Sequence, residues 1–137
     1  MRRGSAIHSY CESILWLGDT APAVSAPLSD EIAEAKAVVD AYIARHPENV
    51  FIKPAKECEV RREMPFMALV DDKLVKGIMD RVHFFPSAKD PEKIVVYDFK
   101  TGHPHEENQV QIDLYVKVLR DIYGIGDISG ELVYLEM

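Results

Sequence analysis

The chain has 137 residues, of which 47% are hydrophobic and 28% charged. This length and apolar fraction suit one folded core, so we expect a single domain over residues 1–137 and exclude a largely disordered chain. The 16 basic and 23 acidic side chains give a formal net charge of −7. Because nucleic-acid affinity rests mainly on Lys and Arg, this charge predicts a poor non-specific DNA binder.

Targeting and cross-linking signals are missing from the sequence. It has no run of about 18 uncharged apolar residues and no apolar core of a secretory signal at its start, so we expect a cytoplasmic protein without membrane contact. Its two cysteines, Cys11 and Cys58, lie far apart and form no CxxC pair. We therefore expect reduced thiols rather than a disulfide, a zinc site or an iron–sulfur cluster.

Two helices are predicted in the first third of the chain. Apolar residues at helical spacing predict a first helix over about residues 5–17, ended by Gly18. After a loop rich in Pro, Ala and Ser, either Ser29 or Asp30 caps a second helix. This helix ends near His46, because the proline that follows disfavours helical geometry in the residue before it.

Strand patterns dominate the chain from Glu57 onward. Three runs rich in β-forming residues are expected as strands, with antiparallel neighbours: 57–69, 74–85 and 93–99. A third helix over about 106–123, ended by Gly124, and a short strand over 132–135 complete the order α-α-β-β-β-α-β. The sequence therefore predicts an α/β fold with helices packed on a mixed sheet.

The third predicted strand ends in two opposite charges. Strand alternation places Asp98 and Lys100 on one face, after a stretch that is apolar on both faces and therefore central in the sheet. Such charges are costly to bury unpaired. They form either a simple salt bridge or part of a chemical site.

A further carboxylate, Asp80, lies in the second predicted strand among large apolar residues and needs a partner or a metal. Lys76 and Arg81 are the ordinary partners, and Gly77 indicates a bulge or a close approach of another chain segment. If the two strands are neighbours, Asp80 and Asp98 converge. A hard divalent cation such as Mg²⁺ or Mn²⁺ would then relieve their repulsion.

The first helix contributes one candidate, His8. Gly4 lies one turn earlier on the same face and would let the helix approach a sheet closely, with the imidazole directed inward. The alternative is an ordinary core or surface histidine with satisfied hydrogen bonds.

Together, these residues form five short motifs in a recognisable order. The motifs are Gly4-x-x-x-His8, Glu63-Met-Pro-Phe66, Gly77-Ile-Met-Asp80-Arg81, Val96-Tyr-Asp98-Phe-Lys100-Thr-Gly102 and Gln111-x-x-x-Tyr115. In this order the chain resembles the RecB-like nuclease domain of the PD-(D/E)XK superfamily, over nearly its whole length. The resemblance implies a restriction-endonuclease-like core, with a mixed central sheet flanked by helices.

The resemblance also implies a catalytic centre. His8, Asp80 and Asp98 would ligate Mg²⁺ or Mn²⁺, together with the main-chain carbonyl of Phe99, and Lys100 would be the catalytic lysine. Phosphodiester hydrolysis needs a nucleophilic water and neutralised phosphate charge, which a metal and a lysine supply.

The remaining motif residues have two interpretations each. Gln111 and Tyr115 share a helix face. In one interpretation they lie beside the active site and touch the catalytic strand or the DNA backbone. In the other they belong to an ordinary helix that packs on the sheet. Glu63 either assists catalysis from the first strand or faces solvent. Arg81 and Thr101 either contact phosphate or only brace Asp80 or the turn.

The function implied is that of a metal-dependent DNA exonuclease in repair or recombination, acting with a UvrD/Rep-type helicase in cis or in trans. The chain has no P-loop for ATP and no cysteine trio for the iron–sulfur cluster of some relatives. Because the motifs extend almost from end to end, we expect a minimal nuclease core to which another domain or protein delivers DNA. The alternatives are a catalytically silent module that binds DNA or a helicase, and a metal-free scaffold.

Overall fold

A computed structural model describes residues 3–18 and 30–137. Within these residues the elements are α1 (Arg3–Glu12), α2 (Asp30–Arg45), β1 (Glu59–Val70), β2 (Lys73–Phe85), β3 (Lys93–Lys100), α3 (Glu106–Tyr123) and β4 (Ile128–Tyr134). Their order and the α/β class agree with the prediction.

The chain divides into two compact units. One is formed by Met1–Lys53 with Leu135–Met137, and the other by Pro54–Tyr134. The single domain predicted for residues 1–137 therefore stays a prediction. In the described part of the chain no helix is both long and apolar enough to cross a membrane. The buried Cys11 and the half-buried Cys58 form no disulfide bond with each other.

The first helix is shorter than predicted, because α1 ends at Glu12 instead of continuing to Leu17. The Ser13 hydroxyl donates a hydrogen bond to the Tyr10 carbonyl at 2.6 Å. The Ser13 N–H lies 3.1 Å from the same oxygen, a three-residue spacing that tightens the last turn. The end predicted at Gly18 is therefore wrong.

The second helix has the predicted bounds within one residue. It begins at Asp30, whereas the alternative cap Ser29 lies outside the described residues. Its buried residues lie about one turn apart: Ala35, Val39 and Tyr42. At its end, Arg45 Nη2 donates to the Leu135 carbonyl at 3.0 Å, which ties the last residues of the chain to α2.

The sheet of the second unit has the strand order β1-β2-β3-β4. β1 and β3 each pair antiparallel with β2, whereas β3 and β4 pair parallel. β3 is therefore an interior strand, as its two apolar faces predicted. The parallel pairing begins at Ile94 and Ile128, so β4 starts four residues before the predicted position at Leu132.

Helix α3 covers one face of this sheet. It spans Glu106–Tyr123 as predicted and ends at Gly124, whose φ of 68° is the left-handed geometry common at helix ends. The core on this side is apolar and comes from the helix and the sheet: Phe66, Met79, Val82, Phe84, Ile94, Val96, Ile112, Tyr115, Val118, Leu119 and Ile128. This packing fixes α3 above the strands that carry Asp80 and Asp98.

The two ladders of β2 differ in extent. β1 and β2 pair along the full hairpin, from Glu59↔Phe84 to Val70↔Lys73. In contrast, β2 and β3 pair only from Phe85↔Lys93 to Arg81↔Tyr97. The hairpin therefore extends beyond the ladder with β3, and β2 and β3 part after Arg81↔Tyr97.

Candidate active site

Two carboxylates meet where β2 and β3 part. Counting on from the last ladder pair, Arg81↔Tyr97, the next two positions are Asp80 and Asp98, which stand opposite each other. Asp80 Oδ2 accepts a hydrogen bond of 2.9 Å from the Phe99 N–H. The Asp80 side chain thus satisfies a main-chain donor on β3 at the point where the ladder ends, and the neighbouring strands bring the two carboxylates together.

The Asp98 carboxylate is almost fully buried, with 4% of the residue exposed. Burial raises the pKa of Asp98 to about 6, and the neighbouring Asp80 contributes in the same direction while Lys100 opposes it. Lys100 Nζ lies 2.9 Å from Asp98 Oδ2 in an ion pair. Nevertheless, Oδ2 makes no well-formed hydrogen bond to any described residue. The negative charge of the Asp98 carboxylate is therefore only partly compensated by Lys100.

Lys100 is held from the opposite side by α3. Its Nζ donates to Gln111 Oε1 at 2.5 Å, and Gln111 Nε2 donates to Tyr115 Oη at 2.9 Å. The Tyr115 hydroxyl in turn donates to the Ile78 carbonyl of β2 at 3.4 Å. The glutamine thus touches the strand that carries Lys100, as in one of the two interpretations of its motif.

Glu63 lies in β1 between the Arg62↔Arg81 and Met64↔Met79 pairs, opposite Asp80. Its φ is 50°, an unusual backbone conformation for a residue other than glycine. Such strain is concentrated at functional sites, although it does not define a role. A catalytic role for Glu63 stays a prediction.

Arg81 lies in the interior of the protein. The residue is fully buried, and its Nε donates to His83 Nε2 at 2.8 Å. Strand alternation places both on the face opposite Val82 and Phe84. Neither the phosphate contact nor the bracing of Asp80 is tested by this burial, so both interpretations of Arg81 stay predictions. Thr101 follows β3 and is half-buried, so its contact with phosphate stays a prediction.

The predicted ligand His8 lies in α1, together with Gly4. It belongs to the unit formed by Met1–Lys53 with Leu135–Met137, whereas both aspartates belong to the other unit. Among residues 3–18 and 30–137, no three His, Cys, Asp or Glu side chains group closely enough to hold a metal ion. Ligation by His8 and by the Phe99 carbonyl therefore stays a prediction.

Two contacts of Tyr115 differ in whether the sequence indicated them. The Ile78 carbonyl is a main-chain group, so no residue type identifies it as the acceptor for Tyr115. Phe66 lies edge-on to Tyr115, with ring centroids 5.5 Å apart and planes at 73°. Its place in the motif after Glu63 was the available indication that it supports the site.

The donor set suits a hard cation. Asp80 and Asp98 offer carboxylate oxygens, and one oxygen of Asp98 is buried with no well-formed hydrogen bond in the described part of the molecule. Oxygen donors of this kind are the usual ligands of Mg²⁺ and Mn²⁺. The residues present therefore fit the divalent metal that the sequence resemblance implies.

Comparisons with known proteins agree with this geometry. The profile of the PD-(D/E)XK nuclease superfamily matches residues 2–137. The chain is also 29% identical, over 154 aligned residues, to an ATP-dependent helicase/nuclease subunit of Streptococcus equi subsp. zooepidemicus (strain H70). That alignment covers 96% of this chain but only 12% of the relative. With its mixed sheet, its helices and its paired aspartates, the chain belongs to the PD-(D/E)XK nuclease superfamily.

Proposed function

We propose that this chain is a metal-dependent deoxyribonuclease module that degrades DNA as an exonuclease. The observation that carries the proposal is the Asp80–Asp98 pair, with a buried Asp98 oxygen that lacks a well-formed hydrogen bond among the described residues and with Lys100 beside it. Two carboxylates held this close repel each other, and a bound divalent cation would relieve that repulsion.

Asp80 and Asp98 would hold Mg²⁺ or Mn²⁺, with the Phe99 carbonyl and His8 as further predicted ligands. A divalent cation bound there would supply positive charge against the phosphate oxygens and lower the pKa of a water molecule. The positions of the two carboxylates would determine where the cation binds. Those positions are set by the β2–β3 ladder, which ends one residue short of Asp80 and Asp98.

Lys100 contributes a second positive charge from the chain itself. Its ammonium group is a compact point charge, held between Asp98 and Gln111. There it stabilises the negative charge that develops on the phosphate oxygens during hydrolysis. Because Asp98 is buried, this interaction acts in a medium of lower dielectric constant than water and is correspondingly stronger.

The context of the activity is proposed from the relative. That protein is named as a helicase/nuclease subunit, and this chain spans 12% of its length. We therefore propose that the chain acts in DNA repair or recombination with a UvrD/Rep-type helicase, in cis or in trans. The net charge of −7 supports this arrangement, because a chain that attracts DNA weakly benefits from a partner that delivers it.

Cleavage assays with Mg²⁺ or Mn²⁺ test the activity on single-stranded and double-stranded DNA. We expect Asp98→Asn and Lys100→Met each to lower the rate by about 10²-fold or more, because each removes charge that acts on the reacting phosphate. Asp121→Asn, an exposed change on α3, is the matched control and should retain the rate. Cleavage that survives both site substitutions would refute the assignment.

The shape of the substrate tests the exonuclease part. An exonuclease degrades linear DNA and spares covalently closed circles, whereas an endonuclease cuts both. We therefore expect linear strands to disappear while circular single strands persist under the same conditions.

Metal binding separates the nuclease from a catalytically silent module of the same fold. We expect calorimetric titration with Mn²⁺ to give a binding heat that Asp80→Asn removes. A silent module without metal affinity would give no heat that depends on Asp80.

A further inference from the structure

A chain of hydrogen bonds links the strand that carries Asp80 to the lysine beside Asp98. It runs from the Ile78 carbonyl of β2 to the Tyr115 hydroxyl, then to the Gln111 amide and to Lys100 Nζ. Tyr115 and Gln111 lie one turn apart on α3, so the helix bridges the two strands.

The direction of this chain is fixed at both ends. The Ile78 carbonyl can only accept a hydrogen bond, and the Lys100 ammonium can only donate. The Tyr115 hydroxyl therefore donates to Ile78 and accepts from the Gln111 amide nitrogen. As a result, the amide oxygen of Gln111 faces Lys100, and the reversed amide would direct N–H groups at the ammonium.

Packing holds the Tyr115 ring in position for this role. The ring is buried and meets the edge of Phe66. Phe66 lies directly against Gly77, where a β-carbon would be only 2.7 Å from the Phe66 ring. The absence of a side chain at Gly77 thus gives Phe66 the space from which it supports Tyr115.

We propose that Tyr115 is a positioning residue, which orients the Gln111 amide and through it holds Lys100 beside Asp98. Tyr115 does not touch DNA in this role. The inference rests on the proposed function, because the place of Lys100 affects the rate only if Lys100 acts on the phosphate. It replaces the DNA contact that the motif left open for Tyr115 with a contact inside the protein.

A double-mutant cycle in kcat tests the proposal on the full chain. Tyr115→Phe keeps the ring but removes the hydroxyl, and we expect kcat to fall about 3- to 10-fold with KM unchanged, which corresponds to one hydrogen bond. In a Gln111→Met background the same change should have almost no further effect, because the amide through which it acts is gone.

Tyr123→Phe is the matched control on the same helix. The Tyr123 ring packs against Phe84, with ring centroids 5.3 Å apart, and takes no part in the hydrogen-bond chain. Tyr123→Phe should therefore leave kcat unchanged, both in the wild type and in Gln111→Met. Effects of Tyr115→Phe that simply multiply with those of Gln111→Met, or a rise in KM without a fall in kcat, would overturn the proposal.

A second measurement does not depend on cleavage. In ¹⁵N-labelled protein, we expect the side-chain amide protons of Gln111 to exchange with water more slowly in the wild type than in Tyr115→Phe. Equal exchange in both proteins would overturn the positioning role. If the wild type cleaves no DNA, the proposed function fails, and the exchange comparison still decides whether Tyr115 orients Gln111.

Discussion

Asp98 is a carboxylate in a costly position. It is almost fully buried beside a second carboxylate, and its ion pair with Lys100 compensates it only in part. An arrangement of this kind lowers stability when nothing else is bound. Local rules of folding are broken most often at functional sites, which agrees with the cation-binding role proposed for Asp98.

His83 is a second buried titratable group, on the other face of β2. Arg81 Nε donates a hydrogen bond to His83 Nε2. The ring centroids of His83 and Tyr97, which lies in β3, are 4.7 Å apart. The register partners of His83 on β1 and β3 are the apolar Val60 and Val95. Burial lowers the pKa of His83 from 6.5 to about 3, and the Arg81 charge acts in the same direction.

This shift predicts how stability depends on pH. The unfolded chain takes up a proton at His83 near pH 6.5, whereas the folded chain does so only near pH 3. The contribution to stability is therefore complete above pH 6.5 and is lost as the pH falls toward 3. Between about pH 7 and about pH 5 we expect a loss of about 2 kcal/mol in the free energy of unfolding from this group.

Urea unfolding of His83→Gln at these two pH values provides the measurement. Glutamine can still accept the hydrogen bond from Arg81 but does not titrate, so the loss between the two pH values should be smaller than in the wild type. The exposed His103→Gln is the control and should behave like the wild type. Equal losses in all three proteins would contradict the buried neutral state of His83.

The sequence predicted which charged residues lie together, but it did not predict what surrounds them. The meeting of Asp80, Asp98 and Lys100 was predictable because charges interrupt apolar strands, which is a property of residue type and spacing. The burial of Arg81 against His83 could not be predicted, since nothing local distinguishes an arginine that is buried against a histidine from one that faces solvent. Such burial depends on contacts distant in sequence.

At the scale of elements, the end of α3 could be predicted from the sequence, whereas the end of α1 could not. The ends of α3 were predictable because glycine at position 124 adopts the left-handed geometry that stops a helix. The end of α1 was not, because apolar spacing continued past a serine whose hydroxyl bonds back to the Tyr10 carbonyl. The start of β4 was missed because it is set by pairing with β3, a contact between distant segments.

The turn of the β1–β2 hairpin offers a test at this scale. Asp71 and Asp72 form the two-residue turn between the paired residues Val70 and Lys73. Their φ values are 51° and 64°, a backbone geometry that favours glycine. We expect Asp72→Gly to raise the free energy of unfolding by a few tenths to about 1 kcal/mol, because it removes the steric cost of a left-handed aspartate.

Asp90→Gly is the control for this turn. Asp90 is also exposed and precedes a strand, but it is not among the described residues with positive φ. There, glycine adds only entropy to the unfolded chain, so stability should stay the same or fall. Urea unfolding measures the free energy of unfolding of both variants and of the wild type. A lower value for Asp72→Gly than for the wild type would contradict the backbone strain at Asp72.

For the whole molecule, charge limits how the proposed nuclease meets its substrate. The net charge is −7, which disfavours attraction of the DNA backbone. We expect the isolated Lys100→Met variant to bind a short single-stranded oligonucleotide in Mg²⁺ with a Kd of about 10⁻⁶ M or weaker, the range of non-specific binding. Fluorescence anisotropy with labelled DNA measures this affinity, and nanomolar binding would contradict it.

The register of β2 and β3 also bears on how this chain can vary in length. Asp80 and Asp98 are placed by counting from the Arg81↔Tyr97 pair, so adding one residue within 81–85 or 93–97 would turn one carboxylate to the opposite face. Residues 86–92 lie outside that ladder and join its far end. Insertions there would lengthen the connection and leave both carboxylates in place, so the distance in sequence between the two aspartates is free to change while their distance in space is not.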